Sequence, residues 1–266
     1  DDALPWQKDP RAASGGAKFV DEAFPAAATS IHGRKEEGWA DLPQCHCGLD
    51  AHQSTMRAAE GSEGSSHSSR GRFWHCGRRR CSFFRWVSHL EKLSSKVWWQ
   101  RFESFTLVKD RGFLADDLLQ GAVGDCWFLS ALAVVAQRPD LILRLFKGQT
   151  ETRQDGCYVV QLFLDGRWEE VVVDDQLPCV VEQMRSDGSQ LAFSRAKDGQ
   201  LWVPILEKAY AKAHGSYRAI SGGSVAEALL DLTGAATETL QLEDFQPADL
   251  WERLVRYQSA QLPMGC

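Results

Sequence analysis

The longest apolar run in the chain begins at Cys126 and continues to Ala136, where polar and helix-breaking residues follow. A helix drawn through this run is apolar on nearly every face, so it is expected to be buried on all sides. We predict that it extends from Cys126 to Gln137, since Pro139 just beyond is typical of a helix end. The pattern therefore predicts a central helix in the core of a folded domain.

A β-hairpin and three more helices are predicted after the central helix. The β-rich runs 158–164 and 167–173 are separated by Asp165-Gly166, a pair that favours a tight hairpin turn. The helices are recognised by their periodicity and by start and stop signals. Their predicted bounds are Leu201–Ala213, ended by His214-Gly215; Ser224–Leu232, with Glu227 completing a capping box; and Pro247–Tyr257.

Composition divides the chain of 266 residues into four segments. Residues 1–44 are partly irregular and contain one apolar island at 18–25. Residues 45–86 form a Cys-rich basic module, residues 87–118 are predicted to connect it to the core, and residues 119–266 form the compact domain. The module has seven Arg and three acidic residues, so its net charge is +4, and about −10 remains for the rest of a chain whose total is −6. This asymmetry suggests a basic insert in an acidic host.

Cysteine use and hydropathy indicate the cellular compartment. No stretch reaches the roughly 18 apolar residues that a membrane span needs. The eight cysteines are too sparse for the disulfide framework of a small secreted protein. We therefore expect an intracellular protein, in the cytoplasm, with the nucleus as the alternative.

Cys126 is the candidate nucleophile. It opens the most apolar helix, where the helix N-terminus favours a thiolate electrostatically, and Gly121 and Gly124 before it allow close approach of a substrate. Gln120, six residues upstream, could offer its amide to a developing oxyanion. The alternative is that Cys126 is a small buried hydrophobic residue at the start of a core helix.

Four cysteines in two close pairs make up the candidate metal site of the basic module. Cys45 and Cys47 precede a loop of 28 residues, and Cys76 and Cys81 follow it. Four thiolates suit tetrahedral zinc with a structural role. Two disulfides or unlinked thiols are the alternatives, and a nearby histidine could replace one thiolate. The histidines concerned are His46, His52 and His75.

A series of motifs in fixed order resembles the calpain family of cysteine proteases. The motifs are Gln-Gly-x-x-Gly-Asp-Cys-Trp-Phe-Leu-Ser-Ala-Leu at 120–132, Val-Val-Val-Asp-Asp-Gln-Leu-Pro at 171–178, Leu-Glu-Lys-Ala-Tyr-Ala-Lys at 206–212, Gly-Ser-Tyr at 215–217, Ser-Gly-Gly-Ser at 221–224, Asp-Leu-Thr-Gly at 231–234, Met-Gly-Cys at 264–266, and the island Phe-Val-Asp-Glu-Ala-Phe-Pro at 19–25. Residues 132–141 and Pro178-Cys179 resemble the small-optic-lobes branch in particular.

The resemblance implies an α+β, papain-like fold, here the Cys-bearing subdomain with a central buried helix and a small antiparallel sheet. It also implies an endopeptidase in which Cys126 attacks the peptide carbonyl and Gln120 supports the oxyanion. Gly222 and Gly223 correspond to the backbone strip that pairs with protein substrates; a tight turn is the structural alternative. The catalytic His and Asn lie on a second subdomain that follows the Met-Gly-Cys strand in this family. Residues 1–266 alone are therefore expected to be inactive.

The family resemblance also implies a calcium site in this half of the protease. Asp117 corresponds to the loop carboxylate, and Asp110 and Gly112 correspond to positions that bind through backbone carbonyls. The second acidic ligand falls on Gln200, and calcium prefers carboxylates, so at most a weak site is expected. Alternatively, Asp116 and Asp117 cap a helix start.

The basic module resembles a GRF-type zinc finger, which binds single-stranded nucleic acid in other hosts. Exposed aromatic and basic side chains would stack on bases and contact phosphates. The residues concerned are Arg72, Phe73, Trp74, Phe84 and Trp86. A protein-docking surface, or a solvated face, is the alternative use of this charge. The rival reading of the whole chain is a non-catalytic calpain-like scaffold whose zinc finger binds nucleic acid or a protein partner.

Overall fold

The computed structural model describes residues 18–33, 96–121, 123–180 and 191–265. Helices and short antiparallel strands both occur in this part of the chain, in accordance with the predicted mixed α+β class. The helices are α1 (Ala28–His32), α2 (Cys126–Val135), α3 (Pro139–Leu145), α4 (Trp202–Ala213), α5 (Val225–Thr233) and α6 (Pro247–Ser259), and the strands are β1 (Val97–Gln100), β2 (Leu118–Leu119), β3 (Cys157–Leu164), β4 (Arg167–Asp174), β5 (Leu177–Val180) and β6 (Arg195–Ala196). Short 3₁₀ turns lie at Ala115–Asp117, Lys197–Gly199 and Leu242–Asp244.

The six strands form three two-stranded antiparallel sheets, β1 with β5, β2 with β6, and β3 with β4. The hairpin of β3 and β4 is the predicted one, with Leu164 paired to Arg167 at the turn. Asp165 and Gly166 both have positive φ, 50° and 80°, as the tight hairpin turn requires. The pairing of residues 157–164 with 167–174 therefore follows directly from the Asp-Gly signal.

Helix α2 lies in the centre of the core, as its composition predicted. Its buried side chains include Phe128, Ala131, Leu132 and Val135, and its neighbour in the packing is α5. The helix ends at Val135, two residues before the predicted end, because the chain turns there into α3, which has Pro139 in its first turn.

Helix α4 packs against β4 and is buried along almost its whole length. Three of its buried residues, Glu207, Lys208 and Lys212, are charged. Buried charges need partners, and each of these has one. Lys208 Nζ donates to Asp174 Oδ1, 2.5 Å away, and Lys212 Nζ donates to both carboxylate oxygens of Asp21.

The capping box predicted at the start of α5 is wrong. Ser224 has extended φ and ψ and makes no side-chain capping hydrogen bond. Both Ser224 and Glu227 are exposed, so solvent can satisfy the first N–H groups of the helix without a reciprocal cap. The predicted helix itself is confirmed, with Gly234 in the left-handed conformation just after its end.

The segment 87–118 is more than the connection that composition suggested. In the described part, β1 pairs with β5, and the side chains of Leu107 and Phe113 are fully buried. Irregular backbone hides this contribution from a periodicity analysis, because the buried residues are not spaced as in a helix or strand.

Within the described ranges, no single helix combines the length and apolarity needed to cross a membrane, although α2 and α3, bent by 115°, pass that test together.

Candidate active site

The thiol of Cys126 is exposed, although the residues that follow it are buried in the core. The helix start is fixed because Leu129 N–H donates to the carbonyl of Asp125 and the indole N–H of Trp127 donates to the carbonyl of Ile220, 3.0 Å away. A thiol at the first position of a rigid helix lies next to unpaired N–H groups and the positive end of the helix dipole. The position suits a thiolate nucleophile that is open to solvent and substrate.

The other two described free cysteines are unsuited to that role. Cys157 and Cys179 are both buried, and burial raises the pKa of Cys157 to about 11 and that of Cys179 to about 12. Both remain protonated near neutral pH, and only the thiolate is a strong nucleophile. Exposure therefore distinguishes Cys126 chemically from the other thiols in the described ranges.

Gln120 lies beside the loop that leads to Cys126. Its amide Nε2 is 3.4 Å from the carbonyl of Val123, which is a weak hydrogen bond. The loop is held against the core at Gly121, where a Cβ would meet the carbonyl oxygen of Phe193 at 1.9 Å. Only glycine fits there. The amide of Gln120 is thus near the nucleophile loop and only weakly engaged.

The Gly222-Gly223 strip lies against the residue that follows the nucleophile. Gly222 has a φ of 104°, which side chains other than glycine rarely adopt. A Cβ on Gly223 would lie 2.5 Å from the indole ring of Trp127. The strip therefore lies alongside the start of α2.

A pair of buried carboxyl groups lies directly behind the nucleophile, and sequence reasoning did not identify it. Asp125 precedes Cys126 and is fully buried, as is Glu207 of α4. Burial raises the pKa of Asp125 to about 6, and burial together with the Asp125 charge raises the pKa of Glu207. Ser194 N–H donates to both oxygens of Glu207, at 3.1 Å each. Two buried carboxyl groups that raise each other's cost of ionisation favour the protonated form of at least one of them.

The residues expected to bind calcium are arranged differently from a calcium site. Asp117 is buried; its Oδ1 accepts a hydrogen bond from Arg111, and its Oδ2 accepts one from the amide of Gln200. The oxygen of Gln200 in turn accepts from the N–H of Lys109. Oxygens engaged this way, beside a guanidinium, do not fit a calcium ion. The described ranges also contain no group of three or more His, Cys, Asp or Glu that could hold a metal ion.

Several predicted site residues lie outside the described residues. The zinc ligands Cys45, Cys47, Cys76 and Cys81 and the whole predicted nucleic-acid surface belong to that part of the chain. Of the described histidines, His214 packs with a tilted ring against Tyr210, and its Nδ1 is 2.9 Å from the Tyr210 carbonyl. No hydrogen bond in the described ranges joins a histidine to Cys126.

Comparison with known proteins agrees with this geometry. The family model for the calpain family cysteine protease matches residues 80–266. The chain is 39% identical over 157 residues to the calpain-type cysteine protease ADL1 of Oryza sativa subsp. japonica, covering 57% of this chain and 7% of that protein. It is 40% identical over 134 residues to calpain-10 of Rattus norvegicus, covering 48% of this chain and 19% of that protein. It is 36% identical over 181 residues to the calpain-1 catalytic subunit of Homo sapiens, covering 65% of this chain and 24% of that protein.

The chain spans less than a quarter of the length of each of these relatives. The family match covers more than half of the chain and includes α2, the hairpin and the glycine strip. The chain therefore belongs to the calpain family of cysteine proteases.

Proposed function

We propose that this chain is the nucleophile-bearing half of an intracellular calpain-like cysteine endopeptidase of the small-optic-lobes type. The observation that carries the proposal is the exposed thiol of Cys126 at the start of a buried helix. Gln120 bonds weakly to Val123 in the preceding loop, and Gly223 of the glycine strip lies against Trp127. Family membership favours limited proteolysis of protein substrates.

The chemistry follows from those groups. The Cys126 thiolate attacks the peptide carbonyl carbon, and an imidazole gives its proton to the leaving amine as the acyl-enzyme forms. The Gln120 amide and the Cys126 N–H stabilise the negative oxygen of the tetrahedral intermediate. Water then attacks the acyl-enzyme and releases the acyl group, while the imidazole, now neutral, accepts a proton from the water as general base. An extended substrate backbone lies along Gly222 and Gly223, where the absence of side chains leaves room.

The imidazole and its orienting Asn are proposed to come from a second subdomain, as the resemblance implies. The chain of residues 1–266 alone is accordingly proposed to lack peptidase activity; in the described ranges, no hydrogen bond joins a histidine to Cys126.

The basic module is proposed to hold a structural zinc ion through Cys45, Cys47, Cys76 and Cys81. The four thiolates and the local charge of +4 support a docking role toward single-stranded nucleic acid or a protein partner. Zinc content of the purified protein, before and after substitution of Cys45 and Cys76 by Ser, tests the metal site.

Cleavage of an unfolded protein by the natural-length protein tests the catalytic proposal. Wild type should cleave, and Cys126→Ser should reduce cleavage by at least about 10³-fold, because the hydroxyl is a far weaker nucleophile without its own activation. The melting temperature serves as the folding control. Activity retained in a folded Cys126→Ser protein would refute the nucleophile assignment. A wild type with no cleavage would favour the scaffold alternative.

A further inference from the structure

The region assigned to calcium by resemblance contains a cation of the protein's own. Arg111 Nη2 lies 2.6 Å from Asp117 Oδ1 and 3.2 Å from Asp198 Oδ2. Asp117 is almost completely buried in the 3₁₀ turn that immediately precedes β2 and the nucleophile loop. A buried carboxylate needs a compensating charge, and here the guanidinium supplies it.

Gln200 satisfies the second oxygen of Asp117. Its Nε2 is 2.8 Å from Asp117 Oδ2 and 3.1 Å from the carbonyl of Lys197, and its Oε1 accepts from Lys109 N–H at 2.9 Å. Two acceptors face the amide nitrogen and one donor faces the oxygen, so the network fixes the orientation of the amide. The amide nitrogen of Gln200 therefore faces Asp117. A residue that binds a metal at this position would instead direct an oxygen towards the metal.

Backbone hydrogen bonds also join residues 106–107 to residues 199–202. Thr106 N–H donates to the carbonyl of Gly199 at 3.1 Å, Leu201 N–H donates to that of Thr106 at 2.9 Å, and Trp202 N–H donates to that of Leu107 at 3.1 Å. The segment 106–117 is thus attached to the segment 197–202 by main-chain and side-chain contacts together.

We propose that Arg111 and Gln200 take the structural place of a calcium ion in this half of the protease. With Asp117 they link residues 106–117 to residues 197–202, and we call this link the clamp. Asp117 is the buried carboxylate of this cluster, and the half-exposed guanidinium of Arg111 compensates its charge. An acidic residue at position 200 would instead leave two negative charges that a divalent cation could compensate. The Cys-bearing half then folds and holds its nucleophile loop independently of calcium. This inference rests on the proposed function only where activity is measured.

Thermal unfolding of the full chain, in millimolar calcium and in calcium-free buffer with the same zinc concentration, tests the clamp. The wild type should melt at the same temperature in both buffers, because the proposed structural zinc is kept constant. Arg111→Met should lower the melting temperature in the calcium-free buffer by about 3–8 °C, because it leaves a buried carboxylate oxygen unpaired. Arg138→Met is the matched control: its side chain has the same exposed fraction, 50%, and it pairs with the exposed Asp140, so little change is expected. A calcium-induced rise for the wild type, or equal melting of Arg111→Met and Arg138→Met, would overturn the proposal.

A gain-of-binding variant makes the test independent of stability loss. Arg111→Met combined with Gln200→Glu removes the internal cation and restores a second carboxylate. Its melting temperature should rise with calcium concentration, and Tb³⁺ added as a calcium probe should show emission sensitised by the nearby Trp202, neither of which the wild type should show. A folded double variant without either response would refute the idea that these two side chains exclude calcium.

Activity separates this inference from the proposed function. If the natural-length protein cleaves, cleavage should be equal with and without calcium at a constant zinc concentration. If it does not cleave at all, the proposed function fails, while the melting and Tb³⁺ results still decide whether Arg111 replaces the metal.

Discussion

At the scale of single residues, the candidate site depends on differences between chemically identical groups. The described thiols differ in exposure: Cys126 is open to solvent, whereas Cys157 and Cys179 are buried and have a raised pKa. The difference arises because Cys126 is the first residue of the core helix α2, whereas Cys157 and Cys179 lie on strands β3 and β5.

Thiol alkylation should reveal that difference. In the native protein at pH 7.5, iodoacetamide should modify Cys126 at least about 10²-fold faster than Cys157 or Cys179, because a buried thiol with a pKa near 11 or 12 is rarely ionised or reachable. Peptide mass spectrometry gives the rate at each site, and urea-unfolded protein is the control in which the three rates should converge. Comparable rates in the native state would contradict the exposure of Cys126 as the distinguishing feature.

At the scale of elements, two helices meet behind the nucleophile through charged groups. Asp125 before α2 and Glu207 within α4 are both buried, and burial together with the charges of these acids raises the pKa of Tyr217. The motif around Cys126 included Asp125, but sequence patterns gave no reason to pair it with Glu207. That pairing depends on how α4 crosses the start of α2.

The carboxyl pair predicts a pH dependence of stability. A carboxyl whose pKa is raised by folding binds its proton more tightly in the folded state, so its contribution is fully present below pH 4 and is lost as the pH rises through about 6. The loss is at most on the order of 3 kcal/mol. Asp125→Asn should therefore gain unfolding free energy relative to wild type between pH 4.5 and 7.5, measured by urea unfolding.

Asp140→Asn is the control for that experiment. The pKa of Asp140 is lowered by its hydrogen bond to Arg138, and the residue is exposed, so its neutralisation should give no such gain as the pH rises. A pH profile of Asp125→Asn parallel to that of wild type would show that burial does not raise the pKa of Asp125.

At the scale of the whole molecule, residues 18–33 are bound into the core by a buried ion-pair network. Lys212 Nζ contacts both oxygens of Asp21, at 2.8 and 2.7 Å, and also the carbonyl of Val172. Asp21 N–H donates to Asp174, which in turn pairs with Lys208. The network joins the apolar island to β4 and α4 across 191 positions of sequence.

Breaking the network should destabilise the domain. Lys212→Met leaves the carboxylate of Asp21 buried without its cation, at a cost of about 3–5 kcal/mol in unfolding free energy. Urea unfolding measures the loss, and limited proteolysis should cut within residues 18–33 sooner than in wild type. Lys18→Met is the matched control on the same segment: Lys18 pairs with the exposed Glu103, so a change of at most about 1 kcal/mol is expected. Equal effects of the two substitutions would contradict a binding role for the network.

The sequence by itself determined the elements whose signals are local. The central helix, the hairpin with its Asp-Gly turn, helices α4 to α6 and the motif that contains Cys126 could all be predicted, because apolar period and turn residues act over a few neighbours. The order of those motifs also indicated the family. The capping box failed at the same local level, because an exposed helix start did not need it.

Only the tertiary structure decided which distant groups meet. Arg111 and Gln200 both bind Asp117, although Gln200 lies 83 positions away in the sequence. Asp21 binds Lys212, which lies 191 positions away. Sequence placed Asp117, Asp110, Gly112 and Gln200 together by resemblance, yet gave no sign that a guanidinium would join them. The protonation and pairing of buried charges depend on the path of the chain and the local dielectric, and neither is encoded in a short window of sequence.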